Sequence, residues 1–487
     1  MDPISRKQYP LQLLATALAA FTVLLLNGCT GISVAAPAAI AQAASGTVTM
    51  VAQSAPSMTT TVQSLRLQIT SAVLNPGKVQ LLATPARLDL ANITAGSTVI
   101  TTASAPAGQY SSLAITFANP TLSITNTSGS TMPIPGGTCA VQSTCTFIPV
   151  INTSLVNVKT GALPLTVVTG QSNNFALTLA VGKILQSDDT LDFSTGVDTG
   201  IDQVGSSGSA TSLGNEPLDA QLGVVQSVAN GQLVLSSESA NISTAITIDN
   251  GTTFNFPPSV CSANNSTCIV SGEIVVATLS LTSAGTVHAD SLAFADIAGA
   301  TLLQGTITLI AAASGSFQML VTQSFDYHST SSADDTVVTV VPQAGAAFGV
   351  ASTGFPSVSG TSFTSLNDMV VGQTVLVDVD LASHFPNIST AQILLADSSA
   401  SGTVSMLGSN MDFILTNYSA EEDNASPITS VVAIQTGTTT LYRNLTPPNF
   451  LSLTNGQSVS VSGPLLSTSP TATLAASRVS LHSPSDQ

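Results

Sequence analysis

"SLRLQITSAVL", Ser64 to Leu74, alternates apolar and polar residues and sets Leu65, Leu67 and Ile69 on one side of the chain. Successive side chains of a strand point to opposite faces, so a period of two marks a strand with one face in a core. The pattern recurs along the chain. "LAITFANPTLSIT", from Leu113, reads as two strands around a turn at Asn119-Pro120, and "QTVLVDVDL" sets Val375, Val377 and Val379 against Leu376, Asp378 and Asp380. β-Branched residues dominate these runs, and Gly, Asn, Pro and Ser interrupt them roughly every 8 to 12 residues. No stretch after residue 28 carries a helical period. The sequence predicts an all-β protein.

Composition narrows the classes of function. Of 487 residues, 7% are charged and 4% aromatic, with no tryptophan and a net charge of -17. The charged share lies far below the usual quarter. Between Lys183 and Arg443 there is no lysine or arginine, against 23 Asp and Glu. Such a surface offers no basic groove to a phosphate backbone, which argues against nucleic acid as a partner. Mean hydropathy is +0.42, yet after the N-terminal segment Ser, Thr, Asn or Gln breaks every run long before the ~18 residues of a spanning helix.

The chain divides by composition. Residues 29–45 are Ala- and Pro-rich and read as a tether; 46–200 form a first domain; 201–216, with "IDQVGSSGSATSLG", read as a linker. Beyond it, "LGVVQSVANGQLVLSS", "LQGTITLIAAASGSFQMLVTQ" and "SGTVSMLGSNMDFILTNYS" open three similar units at 217–299, 300–398 and 399–487. Gly223, Gly305 and Gly402 lie 82 and 97 residues apart, and Gly272, Gly372 and Gly456 lie 100 and 84 apart. Units of that size are too large for solenoid rungs, so each is expected to close its own core.

Within the first domain, Leu88-Asp89-Leu90 and Pro106-Ala107-Gly108-Gln109-Tyr110 resemble a "DLL…PAGxY" family of bacterial lipoprotein domains that has no established activity. The resemblance implies a transthyretin-like β-sandwich. Physically, Pro106 and Gly108 make a turn and Tyr110 begins a strand, its ring toward the core and its hydroxyl at the rim. The three later units resemble a second bacterial family of small OB-like β-barrels. Such barrels often bind oligosaccharides or single strands, an analogy that rests on fold alone.

At the N-terminus, Arg6 and Lys7 precede an apolar run from Leu11 to Leu26, a pattern similar to a secretory signal. Leu26-Asn27-Gly28-Cys29 resembles the lipobox of bacterial lipoproteins. The resemblance implies a signal peptide at 1–28, cleavage before Cys29, and a diacylglycerol on its sulfur with a further acyl chain such as palmitate on the new amino terminus. One acyl chain binds a membrane marginally, whereas several anchor stably. Thr30 stands where aspartate would signal inner-membrane retention, so the expected place is the outer membrane. An ordinary secretory peptide cut after Ala41 or Ala43 is the competing reading.

Cysteine usage fits export. Setting Cys29 aside leaves an even number, in two local pairs, Cys139 with Cys145 and Cys261 with Cys268, both in Gly-, Ser- and Asn-rich loops. The spacings miss the common zinc pattern and no histidine stands nearby, so two structural disulfides are expected. Candidates for other chemistry are sparse. His288, His328, His384 and His482 are isolated, with no metal-binding or catalytic motif around them. The acids Asp188, Asp189, Asp192, Asp198 and Asp202 have the type but not the spacing of a calcium loop. Asp378 and Asp380 read as neighbours on an exposed barrel face. No cofactor is implied.

These readings predict a non-catalytic, lipid-anchored cell-envelope protein that displays or binds a protein or polymer. Carbohydrate binding is the alternative. Tyr110, Tyr327, Tyr418 or Tyr442 gathered with exposed Phe at one rim would mark a sugar site. A pocket joining His288, His328 or His384 to carboxylates would mark an enzyme.

Overall fold

The computed structural model describes residues 44–55, 62–91, 93, 97–199, 216–236, 245–256, 261–282, 285–294, 301–326, 333–352, 354–380, 383–420, 431–443, 445–468 and 471–481. Their regular structure is almost all strand; the one α-helix among them is the single turn Val181–Ile184. Cys29, Asp202, Tyr327, His328 and His482 lie outside the described residues.

Residues 44–199 form two sheets face to face. One orders Val197–Thr199, Ser172–Ala180, Ser45–Ala55 and Thr98–Pro106, with its two central strands parallel. The other is built on the long antiparallel pair Val62–Asn75 and Ser112–Thr125. Their inner faces bury Met50, Leu67, Ile69, Phe117, Phe175 and Phe193, and the Phe117 and Phe193 rings stack with centroids 4.1 Å apart. Ser112–Thr125 is one strand, where the sequence reads as two around a turn. Asn119, at φ 50, and Pro120 form a bulge opposite the single residue Leu67. Proline cannot donate to the ladder, and a bulge is where a strand admits it.

Three five-stranded barrels follow, all with one topology. In each the first strand pairs with the second and fourth, and the third runs parallel to the fifth. This is the strand order of an OB-type barrel. The first barrel uses Glu216–Ala229, Gln232–Ser236, Ala245–Thr247, Ile274–Leu281 and Val287–Phe294; the second uses Thr301–Ala311, Ser316–Asp326, Val337–Val350, Thr374–Val379 and Asn387–Leu395. The third uses Asp397–Ser405, Asp412–Ala420, Val431–Gln435, Ser458–Thr468 and Thr471–Ala475.

The repeat holds at the level of single hydrogen bonds. A one-turn 3-10 helix (Ser266–Cys268, Leu366–Asp368, Phe450–Ser452) precedes Gly272, Gly372 and Gly456, at φ 93, 93 and 91. Each glycine N–H donates at 2.8 Å to the carbonyl of Val225, Ile307 or Val404 on the first strand. The next side chain, Glu273, Gln373 or Gln457, accepts the N–H of Val270, Val370 or Thr454 at 2.9, 2.9 and 2.8 Å. Glycine is needed because L side chains rarely adopt this backbone.

Each unit has its own main buried cluster, and at the contacts side chains of a neighbouring unit join those of the barrels. Val51, Val99 and Ala176 point away from the sandwich interior and join Leu218, Leu233, Leu279 and Leu292 of the first barrel in one buried cluster. A second cluster sets Leu222 and Ile274 of the first barrel against Leu302, Phe325, Leu376 and Leu394 of the second. Leu466 and Ala475 of the third barrel enter the core of the second. Arg478 of the third barrel, buried, donates from Nη1 to the carbonyl of Leu218 in the first at 2.6 Å.

Candidate functional site

Both cysteine pairs are disulfides, with Cα–Cα distances of 5.8 Å for Cys139–Cys145 and 5.7 Å for Cys261–Cys268. Cys139 ends the second strand of the hairpin Met132–Ile134/Gly137–Cys139, and Cys145 lies on the edge strand Thr144–Phe147. The first bridge thus ties an excursion of the sandwich to its sheet. The second closes the loop that carries the 3-10 turn of the first barrel.

His288 is joined to carboxylates, unlike the other described histidine, His384, which is exposed in a tight loop. His288 stands on Val287–Phe294, directly across from Ser280. Its Nε2 lies 3.1 Å from Asp249 Oδ1 and its Nδ1 3.4 Å from Asp290 Oδ1. Asp249 also accepts the N–H of Gly251 at 2.7 Å; that bond first, and the imidazole second, hold its carboxyl below the usual carboxylate range. The Ser280 hydroxyl, at 2.9 Å, donates to Asp290 and not to the ring. A catalytic relay passes a hydroxyl proton to the imidazole, with the carboxylate behind it. Here two carboxylates flank the ring, and the arrangement pins the turn Asp249–Thr252 to the last strand of the barrel.

The described acids of the run, Asp188, Asp189, Asp192 and Asp198, do not converge. Asp188 accepts from the hydroxyl and N–H of Thr190 at 2.7 and 3.2 Å, and these bonds lower its pKa. Asp192 accepts the N–H of Ser194 at 2.9 Å, with the same effect. Asp198 takes the Thr160 hydroxyl at 2.7 Å. Burial, and then the charge of Asp188, push Asp189 up. Each of these hydrogen-bonded carboxylates caps a local turn or joins a neighbouring loop. Among the described residues no group of three His, Cys, Asp or Glu side chains is placed to hold a metal ion.

One expectation needs correction, and one condition for a sugar site goes unmet. The face bearing Asp378 is covered, because Leu376 on the same face packs against the first barrel; Asp378 is buried, and Asp380 beyond the strand takes Gln343 Nε2 at 2.7 Å. Tyr110 and Tyr442 do not share a rim. They are buried in two different cores, the Tyr110 hydroxyl donating to the Pro106 carbonyl at 2.7 Å. Tyr418 lies on strand Asp412–Ala420 of the third barrel.

Two charged places were not singled out by motif. Arg66 of the sandwich approaches Asp89 at 3.5 Å and reaches the second barrel at Asp334 (3.3 Å) and Asp335 (3.1 Å). Asp397, half-buried where the second barrel gives way to the third, accepts the Ser477 hydroxyl at 3.2 Å; desolvation raises its pKa, opposed by Ser352 and the charge of Arg478. Arg66, the lone charged residue of its strand, was the available signal for the first. Its partners on the second barrel, Asp334 and Asp335, lie far along the chain and carried none.

Compared with known proteins, the chain matches no family model, and no curated protein matches it.

Proposed function

We propose that this chain is a lipid-anchored protein of the bacterial cell envelope, in the outer membrane, that displays its β-units to bind a protein or polymer without catalysis. The observation that carries this reading is Leu26-Asn27-Gly28-Cys29 directly behind a basic start and an apolar run. Several acyl chains at Cys29 would anchor it, and residues 30–43 would tether the folded part, whose first strand begins at Ser45. Support also comes from the near absence of positive charge beyond Lys183 and from the local, turn-capping use of its hydrogen-bonded acids. Carbohydrate binding loses its best-motivated tyrosines to the cores, at Tyr110 and Tyr442.

The test is expression in a bacterial host with a labelled fatty acid. Wild-type protein is expected to take up label and partition into the detergent phase. Cys29→Ala should lose at least tenfold of both. A mature N-terminus at Gln42 or Ala44 without acyl mass would defeat the reading.

A further inference from the structure

One guanidinium at the contact between the sandwich and the second barrel serves three carboxylates. With every group ionised, Arg66, Asp89, Asp334 and Asp335 carry two surplus negative charges, and no side chain among them is more than 18% exposed. Hydrogen bonds to backbone and side-chain atoms hold the three aspartates at the contact. Asp335 sits at φ 62, its N–H bonded to the Val321 carbonyl at 2.9 Å and its carbonyl receiving the Thr146 hydroxyl at 3.0 Å. Asp334 is fixed by the Ser324 hydroxyl at 2.8 Å, and Asp89 by Ser64 Oγ at 2.7 Å and the Leu65 N–H at 3.0 Å.

We propose that this contact is a proton-linked clasp: in mild acid the Asp335 carboxyl takes up one proton, and the sandwich and second barrel hold together more tightly than at neutral pH. The charged groups facing Asp335 are Arg66 and Asp89 from the sandwich strands and Asp334 from its own turn. Burial pushes its carboxyl up most; Arg66 opposes, Asp89 and Asp334 reinforce, and the result is about 6. When the clasp opens, Asp335 meets water and returns toward 3.8. The closed form therefore binds more protons between those values, so closing strengthens as pH falls and weakens as it rises through 6. Linkage gives roughly a tenfold gain in the closing equilibrium between pH 7 and pH 5. The repulsion relieved lies across the contact, between Asp89 on one side and Asp334 and Asp335 on the other.

Hydrogen exchange on the full chain, corrected for the intrinsic pH dependence of exchange, tests the clasp. The amides of 144–147 and 333–337 are expected to open about tenfold less often at pH 5 than at pH 7, with the strand Ser458–Thr468 unchanged. Asp335→Asn should open equally at both pH values. Asp334→Asn, which removes a like charge, should keep the effect with its midpoint moved to lower pH. Equal opening of the wild-type clasp at both pH values overturns the proposal, as does a tenfold effect that survives in Asp335→Asn. Should that variant fail to fold, an unmoved midpoint in Asp334→Asn overturns it.

Discussion

Between Ile69 and Ser71 the strand Val62–Asn75 slips by one residue against its partner. A strict period of two from Leu65 would leave Ala72 and Leu74 facing outward. The bulge turns them back, and all five side chains, Leu65, Leu67, Ile69, Ala72 and Leu74, are buried. The register up to Ile69 was legible because the alternation is local; the slip was not, because a bulge is a property of two strands. The same limit hid Asn119-Pro120 inside a strand. Glycine was easier to read. A Cβ placed on Gly272 or Gly456 would meet nothing within 4 Å, so the cost of Gly272→Ala or Gly456→Ala is that of holding alanine at φ 93 or 91. Each is expected to lower stability by about 1 kcal/mol. Gly137→Ala, also free of neighbours but without a positive φ, should stay within about 0.5 kcal/mol of wild type. Urea midpoints at constant m-value measure both; equal losses at Gly137 and Gly272 would refute the conformational argument.

Elements are held by short-range devices that the sequence displays and by neighbours that it does not. The Cys139–Cys145 bridge belongs to the first kind: its ends lie six positions apart, one on the hairpin Met132–Ile134/Gly137–Cys139 and the other on the sheet's edge strand Thr144–Phe147. Closing so short a loop removes little unfolded-chain entropy, about 2 kcal/mol. Replacing both cysteines by serine should therefore lower the unfolding free energy by about 2 kcal/mol without changing the fold. Thr146, next to Cys145, donates to Asp335 across the contact, so exchange in 144–147 should rise first. A loss above about 4 kcal/mol, or unfolding of the whole sandwich, would mean that the bridge holds more than its loop. Leu376 and Asp378 belong to the second kind. Alternation correctly put them opposite Val375 and Val377, but that outer face is covered by another barrel rather than by water. His288 likewise stood in the sequence as an isolated residue, because its partner Asp249 lies 39 residues earlier, on a turn that only the closed barrel brings beside it.

At the scale of the molecule, the units are joined by apolar faces that the sequence carries as a weaker signal. A strand with one face in a core alternates; a strand buried on both faces reads as a continuous apolar run. "MVA" at Met50 to Ala52 and "FAL" at Phe175 to Leu177 are such runs, and in each the middle residue points into the first barrel. Gly285, in a hairpin of that barrel, lies so close to Asn174 that a Cβ there would come within 2.8 Å of its Oδ1. Ser97 and Leu218 add a bridge between the two backbones. The sandwich and first barrel should therefore lose structure together despite the long linker between them. Val51→Asp tests this, because it sets an unpaired carboxylate in the shared cluster while leaving Met50 and Ala52 in the sandwich interior. Burying that charge should cost about 3 kcal/mol or more, or force the faces apart. Exchange is expected to rise in parallel in Ser172–Ala180 and in Ile274–Leu281, with the third barrel's Ser458–Thr468 less affected. A fragment beginning at Leu213 should show the same loss in Ile274–Leu281, since it lacks Val51, Val99 and Ala176. Undiminished protection of the first barrel in both would mean that the cluster is a contact between two self-sufficient cores.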